Sequence, residues 1–400
     1  CNIVLNLLIL GIFKYFNFFG ENLSNLFRLF GFGLDWVTVD ILLPVGISFY
    51  TFQALSYTID VYRGSIAPTH DPVGFFAYVS FFPQLVAGPI ERATHLLPQF
   101  HKKRSFDFAS AASGTRQIMW GLFKKVVIAD NCAVIVNSVF ANYSDVTGST
   151  LFLGAVFFAF QIYGDFSGYS DIAIGTAKLF GIDLMQNFNY PYFSRNIAEF
   201  WRRWHISLTT WFRDYVYIPL GGSRCGKGRT FRNTAIIFLL SGFWHGANWT
   251  FVCWGAYHAL LFAPLMFLGK NRNFQEIVAR DHKLPTVKET VQMLTTFLLV
   301  AFGWIIFRAN TIGDAWGFIG RLFSKSLLSK PILIGEENTI ALVGIFFIVV
   351  MLLLEWIFRR EAFVFGGRMS CAAISCAIVF SVFSIYFFGG SSTMFIYFQF

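Results

Sequence analysis

The strongest sign of chemistry in this sequence is a histidine set between two tryptophans. Residues 244–249 read Trp-His-Gly-Ala-Asn-Trp, so His245 follows Trp244 at a glycine-containing break between two apolar stretches that could each enter a bilayer. An ionisable side chain at that depth costs roughly 2–3 kcal/mol even on lenient insertion scales, so it should face a cavity or a partner. Imidazole takes a hydroxyl proton near neutral pH. His245 is therefore a candidate general base, with Trp244 as a candidate supporting residue; the alternative is a packed histidine bonded to a backbone carbonyl.

Two further polar positions could assist such a base. Asn248 follows His245 by three residues, so it could orient the ring or donate to a developing oxyanion, a contact typically worth about 3–4 kcal/mol. Its alternative role is to cap the next helix. Asp165 and Asp171 lie six residues apart around a glycine-containing break, on different helical faces, and make a poor carboxylate pair. We expect Asp165 to support the site structurally or to line a cavity.

Residues 197–213 have apolar side chains at helical spacing and predict an amphipathic interfacial helix. The apolar positions are Ile197, Phe200, Trp201, Trp204, Leu208, Trp211 and Phe212, and the charged positions opposite them are Glu199, Arg202 and Arg203. His205 lies at the edge of the apolar stripe, so it should point into protein or lipid headgroups. Both a functional role and simple anchoring of the helix stay open for it.

Three arginines in the same region could bind the phosphates of a nucleotide thioester. Arg202, Arg203 and Arg224 belong to a basic stretch in which proline and a glycine pair end the predicted helix. The alternative needs no ligand, because cytoplasmic loops of membrane proteins are rich in Lys and Arg.

Composition places the chain in a membrane. It is 56% hydrophobic and 13% charged, with 52 phenylalanines in 400 residues. The clearest apolar stretches of spanning length are 41–60, 73–90, 149–163, 233–248, 250–268, 291–308, 339–358 and 371–389, and ambiguous ones lie at 1–19, 115–140 and 165–182. We predict an all-α polytopic protein of nine to eleven membrane-embedded helices.

Breaks within these stretches predict a central funnel or cavity. Proline or glycine interrupts the apolar runs at 43–46, 82–83, 88–89 and 164–168. Irregular backbone at membrane depth is tolerated only where it is buried in protein or lines a water-filled cavity. With no internal repeat or Pro/Ser-rich linker, we expect a single domain over 1–400. Because the sequence starts at Cys1 inside an apolar run, we expect upstream helices to be missing from it.

Charge distribution predicts a topology. Counting spans places the basic loops 195–232, 270–288 and 359–368 on one side, which the positive-inside rule makes cytoplasmic. The loop 309–338, the tail 391–400 and the His245 turn then fall on the other side. The net charge of +9 therefore reports topology and not nucleic-acid binding.

Metal chemistry is disfavoured. The six cysteines are scattered without zinc or redox spacing, and no H-E-x-x-H pattern occurs. We expect free, buried thiols, no metal and no bound cofactor.

Five separated segments carry a resemblance to a known family. They are 81–90, 164–175, 200–222, the Trp-His-Gly forty residues after His205, and the terminal 395–400. In this order they resemble the membrane-bound O-acyltransferase family and, more narrowly, its bacterial alginate O-acetyltransferase branch, from about residue 40 to the end.

The resemblance implies a helical fold pierced by a funnel, with a catalytic His245 and an accompanying polar His205. In related envelope-acylation systems a terminal tyrosine carries the acyl group as an ester, which makes Tyr397 a candidate relay nucleophile. The alternative for Tyr397 is an aromatic belt at the membrane surface.

We expect an O-acetyltransferase of the bacterial cytoplasmic membrane that moves acetyl from a cytoplasmic thioester, acetyl-CoA, toward hydroxyls of an exported polysaccharide. Membrane lipids and an extracytoplasmic acetyltransferase are its expected partners. Two alternatives stay open: transfer of D-alanine or another acyl group from a carrier protein to a wall polymer, and, in another class, a transporter or channel. The polymer is not identified by the sequence.

Overall fold

A computed structural model describes residues 2–34, 36, 38–39, 41–333, 335–367, 370–390 and 395. All regular structure in these ranges is helical, which confirms the predicted all-α class. The helices are α1 Asn2–Leu29, α2 Ile47–Tyr62, α3 Pro72–Val79, α4 Phe82–Leu85, α5 Ala93–His101, α6 Phe108–Leu122, α7 Asp130–Ala141, α8 Gly148–Leu179, α9 Ile197–Arg203, α10 Ile206–Phe212, α11 Lys227–His245, α12 Trp249–Phe267, α13 Val287–Arg308, α14 Ile312–Leu322, α15 Glu337–Ile357 and α16 Cys371–Phe388.

Five of the described helices, α1, α8, α12, α13 and α15, are long and apolar enough to cross a membrane. The protein is therefore a multi-pass membrane protein. The count of nine to eleven embedded helices stays a prediction. The stretch 73–90 was wrongly predicted as one span, because the chain leaves the helical conformation at Ser80 and Phe81, between the short helices α3 and α4.

Helix α8 is the centre of the fold. Its 32 residues extend over roughly 48 Å, well beyond the thickness of a hydrocarbon core, and most of them are buried. The break predicted at 164–168 is wrong, because α8 continues through it without interruption. The glycines of that segment serve packing instead of ending the helix.

Glycines bring α8 into backbone contact with α6 and with the π-helical turn Phe123–Ala129 that follows α6. A Cβ atom on Gly168 would lie 2.8 Å from the carbonyl oxygen of Gly121, and one on Gly175 would lie 2.5 Å from that of Gly114. Small residues permit this close approach between helices in a membrane.

The three basic loops meet at one end of the bundle, as the charge distribution predicts. Arg202 donates to the carbonyl oxygens of Asn271 and Asn273, and Arg359 donates to those of Ala279 and His282. Helix α11 starts at this end of the bundle and α12 ends there, so the two helices are antiparallel. The His245 turn that joins them lies at their opposite end.

We predict that Gly168→Val destabilises the protein by about 1–3 kcal/mol or more, because the new side chain must push α8 away from backbone atoms that cannot move aside. Thermal unfolding of the detergent-solubilised protein measures the loss. The matched control is Gly320→Val in α14, where a Cβ atom would meet nothing within 4 Å. Equal melting temperatures for the two variants would contradict the packing argument.

Candidate active site

His245 ends helix α11 inside a box of aromatic rings. Its ring centroid lies 5.0 Å from that of Trp244, 5.4 Å from Trp254 and 5.2 Å from Phe307. Trp244 in turn stacks on Phe52 at 5.4 Å. These rings exclude water from one side of the imidazole and limit its rotation.

Lys14 holds the backbone at the end of α11. Its ammonium donates to the carbonyl oxygens of Trp244 at 2.6 Å and His245 at 3.0 Å, and lies 3.3 Å from the hydroxyl of Ser48. A cation at a helix C-terminus satisfies free carbonyls and opposes the helix dipole. The sequence analysis did not predict this role for Lys14. Its charge at membrane depth is the signal that marks it.

Asn248 caps helix α12. Its side-chain oxygen accepts from the backbone N–H of Thr250 at 3.0 Å, and its amide donates to the carbonyl oxygen of Asn310 at 2.8 Å. The residue therefore joins the His245 turn to the end of α13, as a helix cap does.

His205 sits where the predicted helix over 197–213 breaks. The expectation of one continuous helix is wrong, since α9 ends at Arg203 and α10 begins at Ile206. His205 adopts φ 45°, a left-handed conformation that is unusual for a residue with a side chain, and only 1% of it is exposed. Strain of this kind is often retained at functional sites.

The rings of His205 and His245 both contact the indole of Trp244. The His205 ring lies 6.1 Å from that of Trp244, which also contacts His245, and 4.5 Å from that of Phe166 on α8. Burial and the neighbouring His245 hold the pKa of His205 well below its ordinary value. His205 is therefore a neutral imidazole.

Asn187 sets the tautomer of His205. Its side-chain oxygen accepts from the backbone N–H and the hydroxyl of Ser207 at 3.3 and 2.9 Å, and lies 3.1 Å from His205 Nδ1. Because that oxygen can only accept, Nδ1 must carry the hydrogen. Nε2 is then the unprotonated nitrogen, and it has no hydrogen-bond partner among the described residues. Nothing in the local sequence around Asn187 predicts this role.

A third buried imidazole was missed in the sequence. His258 on α12 is fully buried, accepts from the indole N–H of Trp201 at 3.4 Å, and packs on Trp254 at 5.0 Å. Because Trp254 also contacts His245, the two rings share one aromatic neighbour. A histidine within an apolar span could have been recognised by the same cost of burial that singles out His245.

Buried ion pairs lie along α8. Asp165 pairs with Lys125 at 2.7 Å, and Asp171 pairs with Lys124 at 2.6 Å, so the two carboxylates have separate partners. Glu355 from α15 accepts from the hydroxyl of Tyr163 at 2.6 Å.

A cavity of about 20 Å³, enough for roughly one water, lies beside these pairs. Lys124, Asp171, Glu355 and Asn187 are among its lining residues. Polar contacts thus extend from the ion pairs through Asn187 to His205.

The structure does not gather the three arginines predicted to bind the donor into one open site. Arg203 is buried and pairs with Glu199 at 2.8 Å, Arg202 donates to loop carbonyls, and Arg224 is exposed. Arg203 therefore stabilises the fold, which corrects its predicted place on an exposed polar face.

Tyr397 lies outside the described residues. Phe395, described two positions earlier, packs against Tyr169 of α8 with ring centroids 5.4 Å apart. Within the described ranges no group of three His, Cys, Asp or Glu side chains could hold a metal ion.

Comparison with known proteins identifies the family of this chain. Residues 66–302, which include both site histidines, match the model of the membrane-bound O-acyltransferase family. A probable alginate O-acetylase of Pseudomonas aeruginosa is 45% identical over 80% of this chain and 59% of its own length. A peptidoglycan O-acetyltransferase of Helicobacter pylori is 36% identical over 78% of this chain and 62% of its own. A teichoic acid D-alanyltransferase of Bacillus subtilis is 28% identical over 66% and 68%.

This chain spans about three fifths of the length of the first of these relatives. The activity, substrates and partners of the whole protein are therefore matters for proposal.

We predict that Asn187→Leu lowers the free energy of unfolding by about 1–3 kcal/mol, because Ser207 and His205 lose a buried acceptor. Denaturant unfolding in detergent measures the change. The control is Asn142→Leu, an exposed asparagine that donates only to Ser138 of its own helix. If both variants were as stable as the parent protein, the hydrogen bonds of Asn187 would not contribute to the free energy of unfolding as predicted.

Proposed function

Because this chain belongs to the membrane-bound O-acyltransferase family, we propose that it transfers an acetyl group from acetyl-CoA toward hydroxyls of an exported cell-envelope polysaccharide. The observation that carries the proposal is the meeting of His245 and His205 on Trp244, within the segment that matches the family. Relatives named for O-acetylation of alginate and of peptidoglycan support acetyl as the group transferred.

His245 acts as the general base in this proposal. It takes the proton of the attacking hydroxyl as the oxygen bonds to the thioester carbonyl carbon. The carbon–sulfur bond then breaks, and the proton passes to the departing thiolate, which leaves as the free thiol. A positioned base typically contributes 10²–10⁴-fold to such a step. His205 stays neutral in this proposal, and its buried Nε2, which has no hydrogen-bond partner among the described residues, can accept a hydrogen bond from a bound substrate.

The donor should approach from the basic end of the bundle. The loops that meet there carry an excess of Lys and Arg, and cytoplasmic loops of bacterial inner-membrane proteins have that composition. We therefore place this end in the cytoplasm and the His245 turn on the extracytoplasmic side. Arg202 and Arg224 are the exposed members of the three proposed donor residues.

The acceptor side involves two further proposals. Tyr397 receives the acetyl group as a phenyl ester and passes it to an extracytoplasmic acetyltransferase, which modifies the polysaccharide. Phe395 supports this proposal because it packs into the core beside α8, close in sequence to Tyr397.

Transfer of D-alanine from a carrier protein is the second candidate. It is favoured by the likeness to teichoic acid D-alanyltransferases, although these relatives are less similar than the O-acetylases. The transporter alternative has no comparable support.

We predict that reconstituted protein incubated with labelled acetyl-CoA becomes labelled at Tyr397, and that His245→Ala and Tyr397→Phe both abolish the label. Loss of the base should slow acetyl transfer by about 10²-fold or more. Intact-mass and peptide analysis locate the label, and release of free CoA gives the rate.

The matched control is His70→Ala, which removes an exposed histidine distant in sequence from the site and should leave labelling unchanged. Label that persists in His245→Ala would remove His245 from the chemistry. An absence of both label and thioester cleavage in every form would exclude acetyl-CoA as the sole donor and favour the carrier-protein candidate.

A further inference from the structure

A narrow crevice between helices α6 and α16 contains a cation that no group of the described chain balances. We propose that this residue, Arg116, binds the phosphate of an anionic phospholipid in the membrane leaflet at the basic end of the bundle. The other lining residues of the crevice are Met119 on α6, Phe365, and Ile374, Ala377, Ile378 and Ser381 on α16. Arg116 is therefore the charged member of a lining that is otherwise apolar except for one serine.

Arg116 has no partner for its charge in the part of the chain that is described. Its Nε is buried and makes no hydrogen bond there, and no carboxylate lies within 4.0 Å of its guanidinium. Lys178 on the adjacent helix α8 differs, because it donates to Gln117, which in turn donates to Asp171. The neighbouring cation is thus connected to a carboxylate, whereas Arg116 is not.

Two other partly buried cations lack a carboxylate but do have neutral acceptors. Lys14 donates to two carbonyl oxygens at the end of α11, and Arg308 donates to the side chain of Asn137. Both line a cavity of about 410 Å³ beside residues 246–248. Since burying a charge without hydrogen bonds is costly, the guanidinium of Arg116 needs an acceptor from outside the chain.

The crevice lies at the basic end of the bundle. On α6, Gly114 packs against Gly175, one turn before α8 ends at Leu179, and Arg116 is two residues further along α6. Phe365, which also lines the crevice, belongs to one of the three basic loops. Arg116 is thus placed near the ends of its neighbouring elements, where a long cationic side chain can reach the headgroup level.

The outer wall of the crevice faces lipid. On α16, the side chain of Ile378 is 40% exposed and that of Val379 is 67% exposed, as expected of a helix surface covered by acyl chains. The crevice holds only about 10 Å³, so a ligand must lie across its mouth and over this apolar surface. A free ion would cover none of that surface.

An anionic phospholipid matches both parts of the site. Its acyl chains cover α16, and its phosphate oxygens accept two parallel hydrogen bonds from the planar guanidinium. Its net negative charge balances Arg116, whereas the phosphate of phosphatidylcholine is already balanced by its own choline. Basic pockets between membrane helices are known to bind anionic headgroups in this way.

The test is native mass spectrometry of the full chain in a neutral detergent, titrated with phosphatidylglycerol. Wild-type protein should bind this lipid, and Arg116→Gln should weaken binding by about tenfold or more, the usual effect of losing hydrogen bonds between charged groups. Arg116→Lys should recover part of the affinity. The matched control is Arg321→Gln, which removes an exposed arginine that donates to the Val146 carbonyl, and it should bind as wild type does.

A second comparison needs no variant and therefore does not depend on the folding of Arg116→Gln. Wild-type protein should bind phosphatidylcholine with the same acyl chains about tenfold more weakly than phosphatidylglycerol. Equal binding of the two lipids, or unchanged binding by a folded Arg116→Gln variant, would show that the arginine only extends to water and would overturn the proposal. Displacement of phosphatidylglycerol by inorganic phosphate or by coenzyme A would assign Arg116 to a soluble ligand and overturn it as well.

Discussion

Burial of charge in an apolar interior is the constraint on which this structure depends. Hydrocarbon offers no hydrogen bonds, so each buried charge must be balanced by protein or by a ligand. Helix α8 illustrates the first solution, since its two aspartates each lie against a lysine from the turn between α6 and α7. Those lysines can approach because glycines let the helices touch. The close helix packing and the ion pairs in this part of the protein therefore depend on each other.

The site histidines follow from the same constraint. A neutral imidazole is far less costly to bury than a charged one, and aromatic rings surround the buried His205 and His258 and the partly buried His245. Asn187 adds a directional hydrogen bond that chooses which nitrogen of His205 carries the proton. The surroundings therefore keep the rings uncharged and oriented, as proton acceptors need to be.

Lys14 and Arg308 are exceptions to this balance, since neither has a carboxylate within 4.0 Å among the described residues. Lys14 has a structural role, because it holds the carbonyls at the end of α11 and so positions the backbone of His245. Its positive charge still lacks a carboxylate among the described residues.

The sequence by itself determined the membrane class, the all-helical fold and the grouping of the basic loops, and it singled out His245 as a candidate, because composition, span length and the cost of a buried charge are local properties. It could not show that Asp165 and Asp171 have separate lysine partners, that Arg203 is buried, or that the helix over 197–213 breaks at His205. Nor could it find Asn187 or the pairing of Arg308 with Lys14 in one cavity. These features join residues far apart in the chain, so only tertiary packing decided them.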